Sequence, residues 1–143
     1  MKALAHESCV GEWSMGDASA DSANAGGTRH VLLLDLKDEA AAIARYEQAH
    51  RPGGVPASVV ASIRTAGISD MRIYRCGNRL VMLMETDASF DPVAKAAADA
   101  ANPDVQAWEA LMDTLQQRLP FAAENEKWVA ASPIFDLIQH IGD

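Results

Sequence analysis

The sequence predicts an α+β domain in which an antiparallel sheet carries helices on one face. Three observations predict this class: a short apolar run near residue 30, two strand-like segments separated by two turn residues near residue 77, and helical periodicity between and after them. The chain has 143 residues, of which 49% are hydrophobic. It is therefore long enough to form one domain with a substantial core.

The first strand is predicted in HVLLLDL, which begins at His30. Its apolar residues are continuous rather than alternating, which is typical of a strand in the middle of a sheet. Asp38 then stands where an N-cap is expected, and in the following EAAAIARYEQAH the residues Ala42 and Tyr46 recur at helical spacing. The Pro-Gly-Gly sequence at 52–54 ends this first helix.

A second helix is predicted in VPASVVASIRTAG, where Val59 and Ile63 share one face and Gly67 stands at the C-terminal cap. Two strand-like segments follow, ISDMRIYRC and RLVMLMETD. They flank Gly77-Asn78, and glycine in the first position of a two-residue loop suits a type II′ hairpin turn. An antiparallel pair of strands is therefore expected.

Two more helices are predicted, VAKAAADAA and, opened by Asn102 and Pro103, DVQAWEALMDTLQQRL, which would end at Pro120. The expected buried side of the second carries Val105, Trp108, Leu111, Met112 and Leu115. The tail segment KWVAASPIFDLI contains two short β-prone pieces on either side of Pro133. Proline cannot donate to a sheet, so an edge or irregular strand is expected there.

The resulting order of strand, helices, two strands, helices and strand is the split βαβ pattern of the ferredoxin-like fold. Such a sheet has helices on one face and leaves its other face open. Packing two sheets face to face would bury the open faces, so a homodimer is expected, with a site inside each curved sheet.

The N-terminal region differs in composition from the remainder, because GDASADSANAGG consists almost wholly of small and polar residues that cannot build a core. We therefore divide the chain into an N-terminal extension at 1–28 and a folded domain at 29–143.

The net charge of −8 argues against binding to nucleic acid or to an anionic membrane surface and favours a small neutral ligand. No apolar run approaches the ~20 residues that a membrane helix needs. Polar residues also interrupt MKALAHESCV, so it does not resemble a secretion signal. A cytoplasmic protein is expected.

The best chemical feature of the chain is the pair formed by Tyr46 and His50, which lie four residues apart and share one face of a helix. An imidazole exchanges protons near neutral pH, and a phenol beside it can orient a sugar hydroxyl. A negative helix C-terminus near His50 would favour the imidazolium form and an acid role. A histidine at a helix end is, however, more often a cap or a solvent-facing residue.

The other histidines, His6, His30 and His140, have no spacing that would make them metal ligands with nearby carboxylates. We expect them to lie on the surface, and we expect no metal site.

Several motifs together resemble the L-rhamnose mutarotase family over about residues 29–137. They are Tyr46-x-x-x-His50, Gly67 followed by MRIY, the hairpin GNRLVMLME, and the block ANPDVQAWEALMDTLQQRLP ahead of KWV and IF. The ANPxxQxWE and KWV features are most similar to the branch of that family associated with L-fucose. The resemblance implies a dimeric ferredoxin-like fold with a barrel-like assembly. It also implies interconversion of the α and β anomers of a 6-deoxyhexose without a metal or organic cofactor.

The resemblance also implies roles for individual residues. His50 matches the proton donor, Tyr46 a sugar-contacting tyrosine, and Trp108 the first of two adjacent tryptophans in the rhamnose branch. Glu109 replaces the second tryptophan, and Met71 stands where that branch has another sugar-contacting tyrosine. These two departures count against L-rhamnose and not against mutarotation. The sugar itself stays open between L-rhamnose and L-fucose, which differ only in hydroxyl stereochemistry.

The predicted catalytic residues are therefore His50 and Tyr46. The predicted substrate-binding residues are Tyr46, Trp108, Glu109 and Trp128. An indole offers a flat apolar face to the C–H side of a deoxy sugar, and Glu109 can accept hydrogen bonds from two hydroxyls. Water, Glu109 or Asp70 could act as the catalytic base.

Two other functions fit the same fold. A cofactor-independent monooxygenase would need a larger apolar cavity for an aromatic substrate. A non-catalytic dimeric module would bind a sugar and lose no reaction rate when His50 is replaced.

Overall fold

A computed structural model of the protein describes residues 27–140. The predicted N-terminal extension at 1–28 therefore lies almost wholly outside the described residues, as does His6. Within the described part, no helix is long and apolar enough to cross a membrane.

The described residues form one antiparallel sheet with four helices, which confirms the predicted α+β class. The strands are β1 (Thr28–Leu36), β2 (Ile68–Cys76), β3 (Arg79–Thr86), β4 (Gln116–Gln117) and β5 (Val129–Ala130). The helices are α1 (Ala40–Ala49), α2 (Ala57–Thr65), α3 (Pro92–Ala100) and α4 (Pro103–Asp113). The strand order is β2-β3-β1-β4, and β5 also pairs with β1, as expected for a split βαβ sheet.

The central pair of strands, β1 and β3, builds the core. Leu32 lies opposite Met82, and Leu34 lies opposite Leu80, in an antiparallel register. All four side chains are buried in a cluster with residues of the helices. Because side chains alternate across a strand, every second residue of β1 and β3 points towards the helices.

The intervening residues form an apolar stripe on the other face of the sheet. This open-face stripe consists of Val31, Leu33, Val81 and Leu83, which are half-buried and lie opposite one another in pairs. Both faces of β1 are thus apolar, which explains the continuous run HVLLLDL.

The structure confirms the predicted start of α4 at Asn102 and adds a cap at Asp91 that the sequence analysis did not name. Asp91 caps α3 by accepting a hydrogen bond from Val93 N at 3.0 Å, and Asn102 caps α4 by accepting one from Asp104 N at 3.0 Å. The prediction of Asp38 as the cap of α1 is wrong. The N-cap is Glu39, whose side chain makes no capping hydrogen bond.

The predicted extension of α4 to Pro120 is wrong, because α4 ends at Asp113 and the chain becomes the short strand β4. Gln116 and Gln117 pair with the end of β1. Without them, the outer edge of β1 would be unpaired at this point. Leu115 lies in the turn between α4 and β4 and is buried there, so its helical spacing in the sequence was misleading.

Only the first of the two β-prone pieces of the tail forms a strand, β5. The piece after Pro133 does not pair, and Ile134 is 97% exposed. Proline lacks the N–H that would continue the ladder, which is the physical reason for the difference. A single 3₁₀ turn at Leu137–His140 ends the described chain.

The expectation that the remaining histidines lie on the surface holds for His140 but is wrong for His30, which is buried. His30 lies on the core face of β1, and its Nε2 is 3.2 Å from Thr86 Oγ1. Its place in the strand alternation, two residues before Leu32, directs it inward.

Replacing Gly67 tests the turn between α2 and β2. Gly67 has φ +97, and an added Cβ would lie 2.7 Å from both Asp87 Oδ1 and Ser89 Oγ. We expect Gly67→Ala to lower the free energy of unfolding by about 2–3 kcal/mol, because it combines a left-handed backbone with crowding.

Gly53→Ala is the matched control, since Gly53 has φ +85 but open space around the added Cβ. Its expected loss is about 1 kcal/mol. Urea denaturation measures both, and equal losses would mean that crowding at Gly67 contributes nothing.

Candidate active site

A cavity of about 800 Å³ lies between the core face of the sheet and the helices. Strands β1 to β3 and all four helices contribute to its lining, which is mainly apolar. A volume of this size is within the range of small-molecule sites and accommodates a monosaccharide.

Helix α1 places Tyr46 and His50 together in this cavity. Tyr46 lies on the buried face of the helix, and His50 is the C-cap residue that follows its last turn. The two ring centroids are 4.2 Å apart. The four-residue spacing therefore brings the phenol and the imidazole side by side, as predicted from the sequence.

The orientation of the His50 ring is determined by a backbone carbonyl of its own helix. Nδ1 of His50 lies 2.7 Å from the carbonyl oxygen of Tyr46. A carbonyl oxygen can only accept a hydrogen bond, so Nδ1 carries the proton. Nε2 is consequently the atom that gains or loses a proton when the imidazole titrates.

Helix α4 adds Trp108, whose ring meets the His50 ring edge-on at a centroid distance of 5.2 Å. The next residue, Glu109, is fully buried and also lines the cavity. Trp128, which precedes β5, is buried and lines it too. All five predicted site residues therefore meet in one cavity, while their chemical roles stay predictions.

Burial has opposite effects on the two titratable groups of α1. It lowers the pKa of His50 below its usual 6.5, although the hydrogen bond to the Tyr46 carbonyl opposes this shift. The helix C-terminus was expected to favour the imidazolium, but its effect on the His50 pKa is smaller than that of burial. Burial also raises the pKa of the Tyr46 phenol, with a hydrogen bond from the Gln116 side chain opposing it. Tyr46 thus stays protonated near neutral pH and is unsuited to act as a base.

The two carboxylates named as possible bases differ in environment, although both line the cavity. Asp70 is half exposed and forms an ion pair with Arg72 at 3.3 Å. Glu109 is fully enclosed by protein. The surroundings of Glu109 are therefore less hydrated than those of Asp70.

The polar residues of the cavity lining that sequence reasoning missed include Lys95, Asp99 and Gln116. The spacing of Lys95 and Asp99 places both on one helical face, but in a sequence it is typical of an exposed ion pair. Gln116 was assigned to a helix that in fact ends before it. Across residues 27–140, no group of three or more histidine, cysteine or acidic side chains is arranged to hold a metal ion.

Comparisons with known proteins identify the family of the chain. The sequence model of the L-rhamnose mutarotase family matches residues 29–137. The chain is 52% identical over 113 residues to an L-fucose mutarotase from Xanthomonas campestris pv. campestris, covering 79% of this chain and 90% of the relative.

Among solved structures, the crystal structure of an L-rhamnose mutarotase from Formosa agariphila has the same fold. The TM-score is 0.55 at 16% identity, and the match covers 76% of this chain and 96% of the other.

Fold, cavity and relatives together define an isomerase that acts on a carbohydrate. The chain belongs to the L-rhamnose mutarotase family, and its activity is the interconversion of sugar anomers. This membership does not favour a monooxygenase or a non-catalytic binding module.

The lowered pKa of His50 predicts a pH dependence of stability. The unfolded chain takes up the imidazole proton at a higher pH than the folded chain does, so stability rises with pH across this window. We expect the wild-type protein to lose stability relative to His50→Gln as the pH falls through 6.5 towards the folded-state pKa.

Urea denaturation at a series of values from about pH 8 to about pH 5 measures this difference. Titration of the His50 ring by proton NMR gives the pKa directly. A folded-state pKa above 6.5, or a pH-independent difference between the two proteins, would contradict the prediction.

Proposed function

We propose that the protein interconverts the α and β anomers of L-fucose, with proton transfer by His50. The observation that carries the choice of sugar is the 52% identity to an L-fucose mutarotase over most of both chains. Glu109 and Met71, which stand where the rhamnose branch has aromatic residues, support the same choice.

The reaction needs one proton delivered to the ring oxygen and one removed from the anomeric hydroxyl. The pyranose ring then opens to the aldehyde, and closure on the other face of the carbonyl gives the other anomer. General acid–base assistance suffices for this, because the reaction already proceeds in water.

In this proposal His50 donates from Nε2 to the ring oxygen, while its Nδ1–H stays hydrogen-bonded to the Tyr46 carbonyl. Burial supports the role, since an imidazolium with a lowered pKa gives up its proton more readily. The fraction of protonated His50 at neutral pH is correspondingly smaller. The neutral imidazole left behind takes the proton back when the ring closes.

Glu109 is our candidate for the group that accepts the proton of the anomeric hydroxyl. It lines the same cavity on the helix that carries Trp108, and burial removes competing water from its carboxylate. Asp70 is the weaker candidate because Arg72 pairs with it near the surface.

The aromatic residues would position the sugar. Trp108 packs edge-on against His50, so a pyranose held against its ring face would lie beside the imidazole. Trp128 offers a second apolar wall for the C6 methyl group. The Tyr46 hydroxyl, protonated at neutral pH, would hydrogen-bond a sugar hydroxyl.

Replacing His50 tests the catalytic role. We expect His50→Ala to reduce the enzyme-catalysed exchange of L-fucose anomers by about 10²–10⁴-fold, which is the usual contribution of one positioned acid or base. Saturation-difference proton NMR on L-fucose and L-rhamnose measures the exchange above the buffer rate.

His140→Ala is the control, because His140 is exposed near the end of the described chain. It should keep the wild-type rate. An unchanged rate in His50→Ala would remove His50 from the mechanism, and a wild-type preference for L-rhamnose would overturn the choice of sugar.

We further propose that the enzyme is a homodimer formed through the open-face stripe. Its residues, Val31, Leu33, Val81 and Leu83, form an apolar surface on the face of the sheet away from the helices. The salt bridges Arg29–Glu85 and Arg79–Asp35 flank this surface and give it a polar rim. We also propose that the protein is located in the cytoplasm. We propose further that the chain divides into an N-terminal extension at 1–28 and a folded domain at 29–143.

Placing a charge on the stripe tests the dimer. Leu33→Asp should convert a dimer to a monomer at micromolar concentration, because two buried carboxylates would face each other across the interface. Val93→Asp is the control, since Val93 is 67% exposed on helix α3, on the other side of the fold from this surface. Sedimentation velocity measures the mass, and a monomeric wild-type protein would refute the dimer.

A further inference from the structure

Helix α3 has its charged residues inside and its apolar residues outside. Among the nine residues of this helix, the two that are buried are Lys95 and Asp99. Val93 is 67% exposed, and most of the alanines are exposed as well. A surface helix normally has the reverse arrangement, and Lys and Asp are seldom buried unless they are paired.

Lys95 and Asp99 are indeed paired with each other. Nζ of Lys95 lies 2.8 Å from one carboxylate oxygen of Asp99 and 2.7 Å from the other. Such a buried pair is weak evidence for a stabilising role, because apolar residues of similar volume often serve stability as well or better. Its presence in an alanine-rich helix therefore calls for a function other than stability.

Both residues line the cavity that contains Tyr46 and His50. Helix α3 packs against α4 there, and Gln106 Nε2 donates a hydrogen bond to the Asp99 carbonyl oxygen at 3.0 Å. Glu109 of α4 lines the same cavity. The α3 and α4 walls thus bring three buried charges to a cavity whose α1 wall carries the tyrosine and the histidine.

We propose that the Lys95–Asp99 pair binds a hydroxyl group of the sugar and determines which 6-deoxyhexose is accepted. The inference rests on the proposed function, because it says which residues of the same site recognise the sugar. The ammonium group of Lys95 has three donors, and the two Asp99 carboxylate oxygens account for two of them, so Lys95 retains a donor for a ligand at the edge of the pair. A sugar hydroxyl both donates and accepts, and it can therefore bridge the two groups.

This recognition separates the two candidate sugars by geometry. L-fucose and L-rhamnose differ in the configuration at C2 and C4, so a hydroxyl that reaches the pair in one sugar points elsewhere in the other. A site built to hydrogen-bond a hydroxyl discriminates strongly, because its buried polar groups are left without that partner when the wrong sugar binds. Lys95 and Asp99 are thus binding residues and take no proton in the reaction.

The decisive variant replaces both charges at once, Lys95→Met with Asp99→Leu. Removing one partner alone would leave an uncompensated buried charge and destabilise the fold, whereas the double change avoids this. Isothermal titration measures L-fucose binding, and saturation-difference NMR gives kcat and KM for L-fucose and L-rhamnose. We expect L-fucose to bind about tenfold or more weakly, with a raised KM, a smaller change in kcat and a lower preference over L-rhamnose.

The matched control is Lys127→Met with Asp113→Leu. This Lys–Asp pair is also in direct contact, with Lys127 buried, but neither residue lines the cavity. It should leave both KM and sugar preference unchanged. If the Lys95/Asp99 variant does not fold by circular dichroism, the neutral polar pair Lys95→Gln with Asp99→Asn takes its place, with the same expectation.

The titration also identifies the hydroxyl. In the wild-type protein, either 2-deoxy- or 4-deoxy-L-fucose should bind about tenfold more weakly than L-fucose, and this difference should disappear in the double variant. Wild-type affinity and sugar preference in a folded double variant would overturn the proposal and leave the pair a structural role.

Failure of the proposed function gives a different result. Wild-type protein that binds L-fucose through the pair without accelerating anomer exchange would refute the catalysis and support the recognition. Wild-type protein that neither binds L-fucose nor accelerates its exchange would overturn both.

Discussion

The antiparallel pairing of β1 with β3 is the constraint on which the rest of the structure depends. It places Leu32, Leu34 and their partners on one face and the open-face stripe on the other. A shift of one residue in this register would exchange the two faces and turn the core outward. The inner face forms the floor of the cavity, so the same register that builds the core also determines where a ligand can bind.

On that floor, the site combines side chains from several helices, each held in a different way. Helix α1 ends at the residue before His50. The Tyr46 carbonyl at that helix end accepts a hydrogen bond from the Nδ1–H of His50. Helix α4 presents Trp108 to the same ring. A helix terminus, which usually must satisfy its carbonyls with water or a cap, here determines the tautomer of the proposed acid. The tautomer of His50 thus follows from local helix geometry.

Burial explains the behaviour of both titratable groups at the end of α1. It shifts the pKa of His50 down and that of Tyr46 up, because it disfavours the charged form of each. The pair is therefore uncharged in the resting protein near neutral pH. A mostly apolar cavity with a few buried polar groups is the kind of environment in which an uncharged sugar can be oriented by hydrogen bonds. The inward-facing charges of α3 fit the same purpose.

The sequence by itself determined the fold class, the hairpin at Gly77, the start of α4 at Asn102 and the pairing of Tyr46 with His50, because each depends on residues close together in the chain. Only the tertiary structure decided that α4 ends at Asp113 and is followed by β4. Gln116 and Gln117 could continue a helix by their spacing, but they pair with the edge of β1 instead. The tertiary structure also decided the direction of the His50 pKa shift and the inward orientation of Lys95 and Asp99. Burial depends on what the rest of the chain packs against a residue, and an i,i+4 pair looks the same in sequence whether water or a cavity faces it.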